Sequence, residues 1–108
     1  MEFLIENGVL IKVIAPEPSV IIQDSVRIIG RLAFLGCENI TDIAIPNSVI
    51  SIEAWAFAYC TKIKKITIPD SVKYLGHSAF AGCKNLCEAK ILAKEVKINF
   101  CAFANNSR

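Results

Sequence analysis

Three consecutive segments of 23 residues repeat one pattern of apolar side chains, and this repeat restricts the possible folds more than any other feature. The segments are 25–47, 48–70 and 71–93. Their matching positions are occupied by Val26, Val49 and Val72; Ile29, Ile52 and Leu75; Ala33, Ala56 and Ala79; Phe34, Phe57 and Phe80; Cys37, Cys60 and Cys83; Ile40, Ile63 and Leu86; and Ile45, Ile68 and Ile91. Self-similarity at a fixed period of about 20–30 residues indicates a solenoid, in which each repeat forms one coil packed on its neighbours.

The remaining residues fit one 108-residue solenoid domain with atypical ends. Residues 19–24 match the end of a repeat and form a half repeat. Residues 94–108 keep Phe103 in phase but form a degenerate last repeat. Residues 1–18 contain Asn7-Gly8 between two apolar runs, which is a strong hairpin signal because both central residues of a type I′ turn need positive φ. We expect this hairpin to be an N-terminal cap that covers the first coil.

Each repeat contains two different periodicities. Its last part alternates polar and apolar residues, which indicates a short strand with one buried face. The shared phase predicts four parallel strands in one sheet, in the order Val20–Ile22, Ile43–Ile45, Ile66–Ile68 and Ala89–Ile91. In the middle of the repeat, from Ala33 onward, apolar residues are spaced by three, which predicts short helical or 3₁₀ turns opposite the sheet. A second short extended piece, Val26–Ile29 and its equivalents, precedes these turns.

Three of the five cysteines recur with the repeat and so belong to the core. We expect Cys37, Cys60 and Cys83 to be buried, reduced and stacked on one another, because free cysteine behaves as a small apolar residue. Stacked neighbours would point their Cβ atoms in parallel, which disfavours a disulfide. Paired Cys-x-x-Cys or Cys/His spacing of a zinc site is lacking, and we expect no metal or cofactor.

Composition excludes several classes of partner. A net charge of +2 gives no reason to expect nucleic acid. No run of about 18 apolar residues occurs, so the sequence predicts no membrane insertion. The start, MEFLIENGVL, lacks the basic residues and the long apolar run of a signal peptide. From these residues alone, either a cytoplasmic protein or a domain whose export signal lies elsewhere is expected.

The repeat resembles the BspA-like, or Treponema-type, leucine-rich repeats. The pattern V-x-x-I-x-x-x-A-F-x-x-C-x-x-L-x-x-I-x-I-P is carried in the central repeat by Val49, Ile52, Ala56, Phe57, Cys60, Ile63, Ile66, Ile68 and Pro69. The resemblance covers about residues 19–104 and implies a leucine-rich repeat solenoid with α/β-type coils. It also implies a cell-surface or secreted location, a role in adhesion and protein contact, and no shared catalytic residues.

Residues that could support catalysis do not form a convincing set. His77 is the single histidine, with Asp70, Ser71 and Ser78 near it in sequence. A triad requires a base hydrogen-bonded to a nucleophile and oriented by an acid. His77 shares its column with Arg31 and Ala54, which indicates a solvent-facing turn. We therefore expect no enzyme activity.

The outward strand face is the first candidate binding surface. One outward column runs Asp42, Lys65 and Glu88, and its neighbour runs Ile21, Ala44, Thr67 and Lys90. Opposite charges on adjacent strands stabilise each other by about 0.2–1 kcal/mol per pair, so a charge ladder is the simpler interpretation of the first column. Extended solenoids usually bind partners on this concave face. The candidate residues are Asp42, Ala44, Lys65, Thr67, Glu88 and Lys90.

An aromatic and aliphatic group on the turn side is the second candidate. Leu32 and Trp55 share an outward column, with Leu35 and Tyr59 close in sequence. Such a group has the composition of an interface anchor. The alternative is that the rings lie flat over the turn as ordinary packing.

Two functional hypotheses follow. The first is a protein- or glycan-binding module, as in a surface adhesin. The second is a structural module that acts as a spacer or self-associates into a homo-oligomer. Self-association would use the Trp55 group or the C-terminal edge at 88–92.

Overall fold

The structure is a computed structural model that describes residues 1–99 and 101–103 of the chain. These residues wind into a solenoid of about four coils, built from ten short strands. The strands are β1 (Glu2–Glu6), β2 (Val9–Ile14), β3 (Ser19–Ile21), β4 (Ile28–Ile29), β5 (Asp42–Ala44), β6 (Ser51–Ile52), β7 (Lys65–Ile68), β8 (Tyr74–Leu75), β9 (Glu88–Ile91) and β10 (Lys97–Ile98).

The longest sheet runs along the whole stack and consists mostly of two-residue strands. Its order is β1-β2-β4-β6-β8-β10, and all pairs after β1–β2 are parallel. The register advances by one repeat at each step, as in Ile29↔Ile52 and Ile52↔Leu75. These three side chains are completely buried, so the strand pairing and the core packing select the same 23-residue register.

The hairpin at the N-terminal end joins this sheet. Asn7 and Gly8 have φ values of 51° and 79°, the positive values that a two-residue hairpin turn requires. β1 pairs antiparallel with β2, and β2 pairs in parallel with β4. Leu10 and Val13 enter the core. The hairpin is therefore not a separate cap, because β2 is itself a strand of the sheet and pairs with β4.

The expected four-stranded sheet on the second side is interrupted. β3 pairs in parallel with β5, and β7 pairs in parallel with β9, each with a 23-residue register. The direction and the order are as expected, but β5 and β7 belong to separate two-stranded sheets. The four strands therefore keep the predicted sequence order, and the hydrogen-bonded ladder is broken between β5 and β7.

The expected helical or 3₁₀ turns are wrong: residues 1–99 and 101–103 contain no helix. The segment between the two sides consists of successive hydrogen-bonded turns, such as Cys37 N–H to the Phe34 carbonyl at 3.1 Å. Four residues one repeat apart have left-handed φ values near 60° and interrupt any helix: Leu32, Trp55, Ser78 and Cys101.

The turn backbones form hydrogen bonds to the next coil as well as within their own coil. The amides of Phe34, Phe57 and Phe80 each donate to an alanine carbonyl one repeat ahead, at 2.7 Å in every case. A helical hydrogen bond would need those carbonyls within the same coil. The spacing of three in the sequence thus reflects a β-solenoid turn whose inward residues recur every third position.

The phenylalanine column is the centre of the core. Its rings stack in order, with centroid separations of 4.7 Å for Phe34–Phe57, 5.0 Å for Phe57–Phe80 and 5.3 Å for Phe80–Phe103. The interplanar angles are 15°, 2° and 7°. The first three rings are completely buried. The periodicity of the sequence is therefore realised as one continuous stack of parallel rings.

The cysteine column also bridges coils. The thiols of Cys60 and Cys83 are buried and donate hydrogen bonds to the carbonyls of Phe34 and Phe57, each at 3.1 Å. Burial raises the pKa of Cys60, with the neighbouring thiols of Cys83 and Cys37 adding to the effect. Burial likewise raises the pKa of Cys83 to about 11. The expectation of burial fails for Cys37, which is half-buried because its coil lies against the hairpin rather than a full repeat.

Replacing Phe57 with alanine should remove a ring that has stacked neighbours on both sides. We expect Phe57→Ala to lower the free energy of unfolding by about 3–5 kcal/mol, measured by denaturant titration. The control is Phe103→Ala, which removes a half-buried ring at the end of the described column and should cost less. Equal losses would contradict a graded stack.

The cysteines should differ sharply in reactivity. With the reagent DTNB at neutral pH, we expect the exposed Cys87 to react in the native protein, and Cys60 and Cys83 to react only after unfolding. Cys87→Ser should remove one thiol from native labelling and leave the slow labelling of Cys60 and Cys83 unchanged. Native labelling of Cys60 at the rate of Cys87, or a native mass that shows a disulfide within the column, would refute the expectation.

Candidate binding surfaces

A groove of about 560 Å³ follows the interrupted strand face. Its walls come from the four strands β3, β5, β7 and β9, whose alternate side chains point away from the core. The lining residues are Ser19, Val20, Ile21, Asp42, Ile43, Ala44, Lys65, Ile66, Thr67, Glu88 and Lys90. The structure therefore brings together all six residues that the sequence indicates for this face.

The register of the strands arranges these residues in two columns. Ser19 is opposite Asp42 and Lys65 is opposite Glu88, which gives one column. The second column is formed by Ile21 opposite Ala44 and by Thr67 opposite Lys90. The interruption between β5 and β7 divides both columns in the middle, so the groove has two halves.

The two halves differ in chemistry. The N-terminal half carries Ile21, which is 75% exposed, and Asp42, whose carboxylate accepts hydrogen bonds from the hydroxyls of Thr41 at 3.2 Å and Ser19 at 3.5 Å. In the C-terminal half lie the charged residues Lys65, Glu88 and Lys90. One end of the groove is thus partly apolar and the other end is highly charged.

Ile21 is the residue of this face that the sequence prediction omits from its binding candidates. A large aliphatic side chain in the outward column is unusual in an exposed strand, and its alternation with the buried Val20 and Ile22 is visible in the sequence. Its exposure agrees with the outward column in which the sequence places it, together with Ala44, Thr67 and Lys90.

The expected Trp55 group does not form one exposed patch. The Trp55 ring is half-buried and contacts His77 edge-on, with centroids 6.0 Å apart and planes at 74°. Tyr59 is exposed and adopts φ 61° at a column position held by Gly36 and Gly82 in the adjacent repeats. A Cβ atom at Gly82 would collide with the Tyr59 ring, so this glycine leaves the space in which the ring lies.

Leu32 and Leu35 belong to a different surface. Together with Ile11, Lys12, Val13, Ala33 and Cys37 they line a cleft of about 380 Å³ between the hairpin and the first turn. Two members of the predicted group, Leu32 and Leu35, therefore line this cleft, whereas Trp55 and Tyr59 are not among its lining residues.

Side chains that support the candidate surfaces include hydrogen-bond donors that the sequence analysis missed. The hydroxyls of Ser48 and Ser71 donate to the carbonyls of Val26 and Val49 in the preceding coil, at 2.7 Å and 2.6 Å. The amides of Asn39 and Asn85 donate in the same way to Pro16 and Thr61. The serines recur at the repeat period, which is a signal that the sequence did contain.

The described residues do not form a metal site or a membrane span. Groups of three or more histidine, cysteine, aspartate or glutamate side chains suited to a metal ion are lacking within residues 1–99 and 101–103. In the same part of the chain, no helix has the length and hydrophobicity needed to cross a membrane. His77 lies exposed beside Trp55.

Comparison with known proteins gives a family match and a similar crystal structure, and both are described as leucine rich. Residues 16–108 match a family described as BspA type leucine rich repeat region (6 copies). A crystal structure of a leucine rich cell surface protein from Faecalibacterium prausnitzii A2-165 is similar, with 34% identity, a TM-score of 0.71 and coverage of 82% of this chain and 24% of that one. No curated protein matches the sequence.

A second solved structure shares part of the sequence. It is a leucine-rich repeat protein from Bacteroides ovatus ATCC 8483, with 32% identity and a TM-score of 0.47, covering 67% of this chain and 24% of that chain. The chain thus spans 24% of the length of each of the two solved proteins.

Proposed function

The chain belongs to the BspA-type leucine-rich repeat family, and from this premise we propose that it is a non-catalytic binding module whose ligand occupies the groove along β3, β5, β7 and β9. The observation that carries the proposal is the gathering of outward side chains from four strands into one groove of about 560 Å³. Extended surfaces of this kind are what solenoid proteins use for recognition.

The positions of the hydrogen bonds between coils support the choice of this groove as the binding site. Backbone hydrogen bonds of the turns join neighbouring coils, whereas the outward side chains of the four strands line an open groove. Lys65, Thr67, Glu88 and Lys90 are all exposed. Their rearrangement around a ligand would therefore leave the core undisturbed.

We propose an extended protein segment as the ligand. The apolar Ile21 at one end and the charged Lys65, Glu88 and Lys90 at the other match a peptide that carries an apolar residue and charged residues at separate positions. A glycan would use mainly hydrogen bonds and has less need of the exposed isoleucine. A glycan ligand remains the second outcome of the test below.

The same proposal includes a cell-surface or secreted location and a role in adhesion. It is supported by the similar protein from Faecalibacterium prausnitzii A2-165, which is described as a leucine rich cell surface protein. Attachment to a surface would place the groove where it can meet proteins of another cell or of the surrounding matrix.

The binding proposal can be tested with ligands selected on the wild-type protein from a display library of short random peptides and, in parallel, from a glycan array. The groove variant is Ala44→Arg with Thr67→Arg, which adds two bulky charges at neighbouring positions. We expect it to bind the selected peptides at least about tenfold more weakly, since tenfold corresponds to only 1.4 kcal/mol.

The matched control is Asn47→Arg with Ile50→Arg, which makes the same change in charge at two exposed positions outside the groove. It should bind the peptides like the wild type. Selection of glycans alone would replace the peptide ligand but keep the groove. Ligands that bind the groove variant normally and lose affinity for the control would refute the proposal.

A further inference from the structure

Two irregularities of the backbone direct aliphatic side chains into the cleft beside the hairpin. Leu4 pairs with Lys12 and Ile5 pairs with Leu10, so Ile11 is an extra residue, and this β-bulge turns its side chain outward. Leu32 has a left-handed φ of 66°. The same conformation recurs at this position in the following coils, and in the first coil it leaves the Leu32 side chain at the surface beside the hairpin.

The cleft is apolar and open to solvent. Ile11, Leu32 and Leu35 are 40%, 42% and 45% exposed, and Lys12 is the charged residue among those that line the cleft. Contiguous exposed aliphatic surface is uncommon on soluble monomers unless a partner covers it. A complementary partner would present an aliphatic side chain next to carboxylates.

The chain itself carries such a segment on β1. Alternation places Glu2, Leu4 and Glu6 on the outward face of the strand, while Phe3 and Ile5 pack against the core. Leu4 is 46% exposed. The β1 face therefore offers one aliphatic side chain between two carboxylates, which is the chemical complement of the cleft.

We propose that two copies of the chain form a two-fold dimer in which the β1 face of each copy, Glu2, Leu4 and Glu6, docks into the cleft of the other. Both surfaces belong to the hairpin end of the stack, so one two-fold axis beside the hairpin satisfies both contacts at once. Leu4 packs among Ile11, Leu32 and Leu35, and the carboxylates meet Lys12. The groove along the four strands stays open in the dimer.

Edge-to-edge pairing of β1 with itself is a less favourable way to associate. An antiparallel pair centred on Leu4 would place Glu2 of each copy opposite Glu6 of the other, and like charges directly opposite destabilise a strand pair. Charged residues on an edge strand commonly prevent such pairing. The carboxylates thus disfavour the edge contact and favour the contact with Lys12.

Sedimentation of the full chain across a concentration series tests the contact. We expect a monomer–dimer equilibrium for the wild type and an at least about tenfold higher Kd for Leu35→Glu, which puts a charge in the apolar cleft. The matched control is Leu92→Glu, the same substitution at an exposed leucine near the C-terminal edge at 88–92. It should dimerise like the wild type.

A charge exchange tests the orientation of the two copies. Lys12→Glu alone, and Glu2→Lys with Glu6→Lys alone, should each be monomeric because every contact then joins like charges. An equimolar mixture of the two variants should form a mixed dimer, since both contacts regain opposite charges.

Three outcomes would overturn the proposal. They are a wild type that is monomeric at every concentration, a dimer that is lost in Leu92→Glu and kept in Leu35→Glu, and a mixture of the charge variants that stays monomeric. Peptide binding in the groove is measured separately and does not depend on any of these results.

Discussion

The structure depends on one contact that recurs in every coil: the inward phenylalanine, whose ring stacks on the next phenylalanine and whose amide bonds to the next coil. The donor–acceptor distance is 2.7 Å for Phe34, Phe57 and Phe80, and ring centroids are 4.7–5.3 Å apart. Both interactions require the same separation between coils, which is the spacing of neighbouring strands. Because ring stacking and backbone bonding agree, each coil fixes the position of the next one in the same 23-residue register that the six-stranded sheet has.

This arrangement explains why the two sides of the solenoid can differ in role. Outside the strands, side chains add further bonds between coils: the thiol of Cys60 donates to the carbonyl of Phe34 in the turns, and the hydroxyl of Ser48, between β5 and β6, donates to the carbonyl of Val26. The strand side is less tightly joined, since β5 and β7 are not paired and the ladder is interrupted there. Because the turns and the six-stranded sheet join the coils, the outward residues of β3, β5, β7 and β9 can line the larger groove.

The repeat itself could be predicted from the sequence because it depends only on which residues are apolar at fixed offsets. The Phe column, the parallel direction of the strands and the gathering of Asp42 to Lys90 on one face all follow from that period. The turns could not be predicted in the same way: inward residues at every third position suit a 3₁₀ turn and a β-solenoid turn equally, and the difference lies in the left-handed φ of Leu32, Trp55 and Ser78. Tertiary contacts also determine where the residues of the Trp55 group lie. The ring is half-buried through its contact with His77, and Leu32 joins a cleft whose other wall, Ile11, belongs to the distant hairpin.

Native-state hydrogen exchange at the amides of Phe34 and Phe57 measures how strongly the bonds between coils are protected in the folded protein. If these inter-coil bonds hold the stack together, both amides should exchange only through global unfolding, with protection equal to the free energy of unfolding measured by denaturant. Amides of β7 at the interruption between β5 and β7, such as that of Thr67, should exchange faster through local opening. Rapid exchange of the phenylalanine amides, independent of denaturant, would contradict the account, because the coils would then be held together by contacts other than these bonds.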